Sequence, residues 1–526
     1  MIEGLMARYP AKMLRLSALS VCLLALSCAG GQPALQAPIQ NESAAAQVPA
    51  PVAAAPTNLP KGVWGDAPAA CSSQVTQAQV RGDACKDARQ SLARALHNNG
   101  AAADAELAAL ESCAEFPAGA IRALRAERLT PECRDLLIVH YAVPEGARSD
   151  VRDALFGLGI SGQLRRLVKD PPTLSPPHDK VRVQAFVQGE LARWIQTQAQ
   201  GVFDLSTRGS ALSGYAKGIV AIEAGMADMR FVEAARTAPV PQELRGDEEL
   251  TEAYYATLDE ALEPRKTRGR DAALVGLKQL AQIGVLRDER VLLARKLLSK
   301  LYSGRRIDAL DGLLLPPGDD DQEGEQDVDE AIAEKLPSFY LPLLVPQLKG
   351  TDVAVLTALR HRSLPPFLRL QLDKQPADAA VQHIYALQLF ELARIYWRAE
   401  DFARAAKVAS ALKGPRAELI AALSTILQNG PQDAAAMMLQ GPLPPKGITL
   451  VAPLDEVVKS SPSLAGYAAY DAALLLETAP PPTASAAYFR DIAARYALAE
   501  KKLPPELRPL AKARRETAEA TARAVK

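Results

Sequence analysis

One stretch near the middle of the chain, residues 387–412, carries the strongest structural pattern in the sequence. It reads LQLFELARIYWRAEDFARAAKVASAL. Four of its residues are spaced i, i+3, i+4, i+7, on one face of a helix: Leu389, Leu392, Ala393 and Tyr396. After a hinge at 399–401, four more repeat the spacing: Phe402, Ala405, Ala406 and Ala409. Small side chains at Ala393 and Ala405 let two helix backbones approach closely. The stretch therefore predicts a packed helix pair.

This pattern resembles a single tetratricopeptide repeat, in which a leucine or aromatic precedes a small residue and a Tyr, and Ala opens the second helix. Its spacing recurs, in part, at two further places: Leu298 and Tyr302, and Phe489, Ile492, Ala493 and Tyr496. The resemblance implies an α-helical solenoid, because one helix pair cannot bury its own apolar face without stacked neighbours. It is stronger for 385–440 than for 181–315. Separate helical bundles in series remain the structural alternative.

The composition agrees with an all-α fold. Alanine and leucine dominate the 526 residues, β-branched alternation is scarce, and 48% of the residues are hydrophobic. A chain of this length has room for roughly three domains. Because 61 basic residues balance 61 acidic ones, bulk charge gives no reason to expect a nucleic-acid partner.

The first 27 residues have the pattern of a secretory signal. Arg8, Lys12 and Arg15 precede an apolar run at 16–26 that is too short to span a bilayer. The run ends in LALSCAGG, which resembles a bacterial lipobox with Ala25 in place of the usual leucine. The resemblance implies that Cys28 is lipidated and that the protein goes to the outer membrane. Ordinary cleavage, which releases a soluble protein, is the alternative.

Residues 28–60 predict a disordered tether behind the lipid anchor. They are rich in Ala, Pro, Gln and Asn and contain too few bulky side chains to offset the entropy of ordering. A flexible coil of this length has an r.m.s. span of roughly 30 Å. Such a leash suits the space between a membrane anchor and a folded body.

The next segment, 61–168, contains four cysteines, an even number that in an exported chain predicts two disulfides. Two helices at 84–97 and 102–114 are predicted to meet at a turn around Asn99. Cys85 and Cys113 would then face each other at the open end of this hairpin, with Cys71 and Cys133 as an outer pair. Pairing Cys71 with Cys85 and Cys113 with Cys133 is the alternative. The spacing is unlike a zinc site.

Three segments are predicted to follow. Residues 181–315 should form about six helices, with ends near Gly201, Gly209, Pro239, Arg265, Gly284 and Gly304. Residues 316–338 should form an acidic loop, and residues 339–526 a tetratricopeptide-like array. The basic end of the chain, 501–526, is predicted to be a capping helix, with contact to anionic lipid or glycan as the alternative.

Several motifs invite a chemical interpretation. Residues 157–162, GLGISG, match a dinucleotide-binding loop, but the residues before them are helical in pattern, so a helix-breaking turn is favoured. Five carboxylates have the spacing of calcium ligands, with Gly324 at the position of the loop glycine, although a solvated loop is favoured: Asp319, Asp321, Glu323, Asp327 and Glu330. The five histidines show no metal-binding spacing: His97, His140, His178, His361 and His383. We therefore predict no metal and no cofactor.

These features predict a lipid-anchored scaffold on the periplasmic side of the outer membrane, with the cell surface as the other possible location. Its helical-repeat surface would bind other envelope proteins. We expect no enzymatic activity, since the sequence shows no catalytic motif. A lipoprotein that binds glycan or peptidoglycan is the alternative. Trp194 and Trp397 could serve such a site if exposed, although packing is the commoner fate of tryptophan.

Overall fold

The computed structural model describes residues 66–76, 84–139, 145–302, 309–317, 328–345, 363–374, 379–441, 443–444 and 446–525. These residues form an all-α fold, as predicted. The exception is an isolated antiparallel bridge between Val285 and Ser363. The chain divides into two compact units. Unit 1 contains the described parts of 66–72, 126–143 and 149–276, and unit 2 those of 73–125, 144–148 and 277–525.

The helices of unit 1 are α4 (Leu136–Val139), α5 (Ser149–Leu167), α6 (Lys180–Phe186), α7 (Ala192–Ser210) and α8 (Gly214–Arg236), with a π-helical turn at Val187–Leu191. Two helices, α3 (Ala120–Arg128) and α9 (Glu248–Gln282), contain a boundary between the units. Unit 2 contains α1 (Ala88–His97), α2 (Gly100–Leu110), α10 (Glu289–Leu301), α11 (Val328–Lys335), α12 (Leu341–Leu344), α13 (Pro366–Lys374), α14 (Ala379–Tyr396), α15 (Ala399–Ala409), α16 (Pro415–Leu427), α17 (Ala434–Gln440), α18 (Ala452–Ser460), α19 (Ala465–Thr478), α20 (Ala486–Lys502) and α21 (Arg508–Ala524).

Helix α8 is the core of unit 1, and α5 and α7 pack directly on it. Its glycines bring α9 into backbone contact. A Cβ atom built on Gly225 would lie 2.5 Å from the backbone nitrogen of Ala273, and one on Gly276 would lie 2.6 Å from the carbonyl oxygen of Gly218. Gly218 and Gly225 are one heptad apart on α8, as are Gly269 and Gly276 on α9. Two antiparallel glycine pairs therefore let these helices touch.

The glycine-rich motif at 157–162 lies inside α5, so the predicted helix-breaking turn is wrong. All six residues are buried. A Cβ on Gly157 would lie 2.8 Å from the Cα atom of Ala216 on α8, and one on Gly162 would lie 3.1 Å from the backbone nitrogen of Asp135. Their glycines are packing positions. The helical pattern predicted just before the motif is confirmed.

Helix ends predicted near Gly209, Pro239 and Gly284 are confirmed, but those at Gly201 and Arg265 are wrong. Gly201 is buried within α7. Helix α9 continues through Pro264, and the guanidinium of Arg265 there donates to Asp228 at 2.8 Å and lies 5.3 Å from the ring centroid of Phe231. Packing against α8 offsets the local preference for a break.

The two disulfides have the nested pairing favoured by the sequence. Cys85 pairs with Cys113 and Cys71 with Cys133, with Cα–Cα distances of 5.3 and 5.4 Å. Cys85 and Cys113 close the open end of the hairpin formed by α1 and α2, in unit 2. Cys71 and Cys133 belong to unit 1. The predicted hairpin is confirmed, and the two units interleave along the chain.

A buried arginine organises the hairpin. Arg125 is 2% exposed; its Nε and Nη2 donate to the two carboxylate oxygens of Asp104 at 2.7 and 2.8 Å, and Nη2 also donates to the carbonyl of Thr76 at 2.7 Å. Glu111 accepts from its Nη1. Burial opposes the charge, but these carboxylates outweigh it and raise the pKa of Arg125. A desolvated cation is thus held by two anions.

Several predictions concern residues outside the described ranges: the signal at 1–27, Cys28, the tether at 28–60, His140, His361 and the calcium-like residues from Asp319 to Asp327. Glu330 lies in α11, which forms a helix in the C-terminal part of the segment predicted as an acidic loop. Arg89 of α1 donates to Asp329 of α11 at 2.7 Å, and the two helices pack together. This contact explains the helix.

The glycine contacts predict a position-dependent cost for an added methyl group. Gly225→Ala should destabilise the protein by about 1–3 kcal/mol, because α8 and α9 must separate to admit a Cβ atom. Gly189→Ala is the matched control, since nothing lies within 4 Å of its built Cβ atom. That control should be neutral or stabilising by up to ~1 kcal/mol. Urea denaturation of both variants checks the prediction, and equal costs would contradict it.

Candidate functional surface

The helix pair α14–α15 of unit 2 contains the first set of residues that match the tetratricopeptide spacing, here called signature residues. All of them are buried. Leu389, Leu392, Ala393, Phe402 and Ala405 are 0% exposed and Tyr396 is 3% exposed. The rings of Phe390 and Phe402 meet edge to face, with centroids 5.7 Å apart. Phe390 was not among the predicted contact residues, although it lies beside Leu389. The pair packs through an aromatic contact as well as through small residues.

The turn between α14 and α15 is built around Trp397. This residue has a φ of 54°, in the left-handed region, and is 1% exposed. That backbone conformation costs roughly 1–2 kcal/mol in a residue other than glycine. The guanidinium of Arg295, from α10, lies 5.5 Å from the Trp397 ring centroid. Burial of the indole against this cation offsets the strain and fixes the angle of the hairpin.

Hydrogen bonds of polar side chains hold the turn between α14 and α15 against the rest of unit 2. The hydroxyl of Tyr396 donates to the carbonyl of Val285 at 2.8 Å, and burial raises its pKa. Gln388 donates to the carbonyl of Ser363 at 2.9 Å. Arg398 donates to the buried carboxylate of Asp401 at 2.5 Å, at the start of α15. Helix α14 is therefore a central support, and little of it reaches solvent.

The helices that follow pack one on the next. Helix α15 packs on α16, α16 on α18, α18 on α19, α19 on α20, and α20 on α21. A second set of signature residues lies on α20, where Ile492, Ala493 and Tyr496 are buried and Phe489 is half-buried. The third set is Leu298, buried in α10, and Tyr302, just after that helix. Each set thus places its leucine or isoleucine in a helix interface.

The outer face of α15 is exposed. Four of its residues recur at i, i+3, i+4, i+7: Glu400, Ala403, Arg404 and Lys407. The Arg404 side chain is 44% exposed and lies 3.6 Å from Asp401. Because the opposite face is buried against α14 and α16, this stripe is rigidly presented. It is the regular exposed surface of the helix pair.

A buried carboxyl group holds an extended segment against the array. Asp471 of α19 is 0% exposed, and its Oδ1 accepts from the backbone N–H of Leu314 at 2.9 Å. Its Oδ2 has no hydrogen-bond partner among the residues that the structure describes. Burial raises the pKa of Asp471 well above its usual range. Arg416 of α16 donates to the carbonyl of Pro316 at 3.0 Å, so two helices fix this segment.

Unit 1 has an open surface cavity of about 580 Å³ at the end of α8 and beside α9. Eight residues line it: Arg236, Thr237, Ala238, Pro239, Val240, Arg245, Thr251 and Tyr255. Arg236 lies 3.2 Å from Asp259, and Arg245 donates to the carbonyl of Val240 at 3.0 Å. The arginines thus already have partners. No spacing pattern in the sequence predicts this cavity, because the loop between α8 and α9 forms part of its wall.

The remaining candidate residues, two tryptophans and two histidines, make packing or polar contacts within the protein. Trp194 packs edge to face on Phe231, with centroids 5.4 Å apart, and Trp397 is buried as described. The ring nitrogens of His97 and His178 lie 3.3 and 3.1 Å from the carbonyls of Ala93 and Leu174. No cluster of three potential metal ligands occurs in the part of the chain that the structure describes. Within the same ranges, no helix has the length and apolar character that a membrane crossing requires.

Comparison with protein-family models, curated proteins and solved structures gives no match to this chain.

The buried carboxyl of Asp471 predicts a pH-dependent stability. A raised pKa means that the folded protein retains a proton that the unfolded chain releases above about pH 4. The stabilising contribution of Asp471 should therefore be full at low pH and decline as pH rises towards its folded pKa. Asp471→Asn keeps an acceptor for Leu314 and cannot ionise. The variant should gain stability over the wild type by up to ~1.4 kcal/mol per pH unit.

Urea denaturation across the acidic and neutral range measures this difference. Asp433→Asn is a suitable control, because Asp433 is exposed and caps its own helix by accepting from the backbone N–H of Ala436 at 2.8 Å. Parallel stability curves for the wild type and Asp471→Asn would contradict the assignment of a protonated carboxyl.

Proposed function

We propose that this protein is an exported, lipid-anchored scaffold whose tetratricopeptide-like helices bind other proteins of the bacterial cell envelope. The observation that carries the proposal is the arrangement of α14 and α15. The signature residues are buried between helices, and a regular stripe on the outer face of α15 remains exposed. This is the division of labour expected of a repeat that displays one surface and stacks on its neighbours with another.

The succession of helices after α15 supports the repeat interpretation. In repeat proteins each unit contacts chiefly the next one, which generates an extended surface without a single central core. The packing of α15, α16, α18, α19, α20 and α21 follows such an order, with α17 outside it. Three sets of related spacings in helices α10, α14 and α20 agree with this arrangement.

Two disulfides support export to an oxidising compartment, since such bonds are rare in reducing cytosol. The signal pattern and the lipobox-like cysteine, Cys28, point to the same route and to an outer-membrane anchor facing the periplasm. In this mechanism the lipid concentrates the scaffold at the membrane, and the tether lets its surface search for partners.

The test is crosslinking in the cell followed by affinity capture of three forms of the protein. The surface variant carries Ala403→Glu and Lys407→Glu, which alter the α15 stripe at exposed positions. The anchor variant is Cys28→Ala. Proteins captured by the native form should be lost with the surface variant and reduced with the anchor variant. The surface variant should keep its stability within about 0.5 kcal/mol, because neither position is buried.

Deletion of residues 385–440 is a poor substitute, since most of α14 is buried and its side chains bond to Val285 and Ser363. A better comparison is Ala452→Glu with Lys459→Glu at exposed positions of α18, which makes the same two kinds of substitution on a different surface of the same unit. The scaffold proposal fails if all variants capture the same proteins as the native form. It also fails if isolated peptidoglycan binds the protein when no other protein is present.

A further inference from the structure

The cations of the last helix pair, α20 and α21, fall into two classes. Some form ion pairs: Arg514 lies 3.1 Å from Glu477, and Arg515 lies 2.9 Å from Glu500 and 2.7 Å from Glu519. The second class is exposed and has no ion pair among the described residues; Arg490 and Arg523 are isolated members, and the other four lie at the turn that joins the helices. The turn is therefore the densest group of exposed cations on this helix pair.

The turn, residues 501–512, carries four cations and one carboxylate. Lys501 and Lys502 end α20, and Arg508 and Lys512 lie in the first turns of α21; all four are exposed, as is Glu506. Lys501, Lys502 and Lys512 form no ion pair within the described ranges of the chain. The N-terminal end of α21 adds the positive end of a helix dipole to the same place.

Apolar groups stand among these charges. Leu510 is 41% exposed, and Pro505 and Pro509 are exposed as well. The aliphatic stems of lysines can lie along such a surface while their ammonium groups reach outward. Cations around an exposed leucine match the polar-apolar boundary of a bilayer, where headgroups meet acyl chains.

The turn is also rigid. Leu503 is 1% exposed, and a Cβ atom built on Gly466 would lie 2.7 Å from its backbone nitrogen, so the turn packs tightly on the start of α19. Arg508 donates through Nε to the carbonyl of Leu503 at 2.9 Å, and the backbone N–H of Leu507 donates to the carbonyl of Pro504 at 3.0 Å. The backbone that carries the cations is therefore fixed before any ligand binds, and the guanidinium of Arg508 is held as well.

We propose that the α20–α21 turn is a membrane-contact site that binds anionic phospholipid headgroups, with Leu510 entering the interface. The strength of the contact in the cell rests on the proposed lipid anchor, because a tether makes the second binding event intramolecular. Each cation near an anionic surface contributes about a fivefold increase in partitioning. The contact would fix the orientation of unit 2 at the membrane, beyond what the tether alone can do.

Vesicle flotation at low ionic strength tests the proposal on the disulfide-bonded chain without residues 1–28, so that neither the apolar run at 16–26 nor a lipid is present. The vesicles are phosphatidylcholine, with or without phosphatidylglycerol. We expect binding to the anionic vesicles only, falling as salt rises. Lys501→Glu, Lys502→Glu and Lys512→Glu together should reduce partitioning by about a hundredfold or more. Leu510→Ser should reduce it several-fold while leaving the salt dependence unchanged.

The matched control reverses three other exposed lysines of unit 2 that have no ion pair among the described residues: Lys296, Lys413 and Lys446. It makes the same change in net charge and should keep most of the binding. Absence of binding to anionic vesicles, equal losses in both triple variants, or unchanged binding by the turn variant would overturn the proposal. So would full displacement by a soluble anionic polysaccharide of matched charge. Partner capture through α15 is a separate readout, so the two proposals can fail independently.

Discussion

Close approach of helix backbones at small residues is the constraint on which both units depend. In unit 1, Gly225 and Gly276 let α8 and α9 touch where a single Cβ atom would not fit. In unit 2, Gly466 lies against the backbone of Leu503, and the fully buried Ala393 and Ala405 serve the α14–α15 pair. A chain with only 5% aromatic residues has few large side chains to fill wide gaps. It reaches close packing by narrowing the gaps instead.

Buried polar groups then select one arrangement of these closely packed helices. Arg125 requires Asp104 and Glu111, and Asp471 requires the backbone of Leu314. Glu223 of α8, which is 1% exposed, accepts from Arg165 of α5 at 2.8 Å. Apolar contacts between small residues are weakly directional, whereas a desolvated charge without its partner costs several kcal/mol, on the order of 3–5. These buried groups therefore specify which segments pack together. This specificity explains why they are buried despite the free-energy cost of removing them from water.

Much of the fold could be predicted because its information is local. The helical class, the α1–α2 hairpin with its Cys85–Cys113 disulfide, and the buried face of α14–α15 all follow from spacings within about thirty residues. The Cys71–Cys133 disulfide, which joins residues 62 apart, then follows because these are the two cysteines that remain. The errors concern glycines and a break near Arg265. A glycine within a helix and a glycine that ends one look alike until the opposing helix is known, so Gly157 was assigned to a turn. The left-handed backbone of Trp397, which packs against Arg295, and the contact of Asp471 with Leu314 depend on distant segments, so no local spacing predicts them. The cavity beside Tyr255 is lined by residues 236–255, but it depends on the fold of the loop among them, which has no periodic pattern. The sequence shows that the end of the chain is rich in basic residues. Only the structure shows that Arg514 and Arg515 form ion pairs, whereas the lysines at 501–512 do not.

The central claim is that helices α14 to α16 and α18 to α21 form an array in which each helix depends chiefly on its neighbours in that order. Hydrogen exchange on a chain that ends at Ala479, and so lacks α20 and α21, tests it most directly. A nearest-neighbour array predicts that amides of α14, α15 and α16 remain protected, while exchange accelerates in α19, which loses its packing partner. Loss of protection throughout α14–α19 would show instead that unit 2 is one cooperative core, and it would contradict the repeat account.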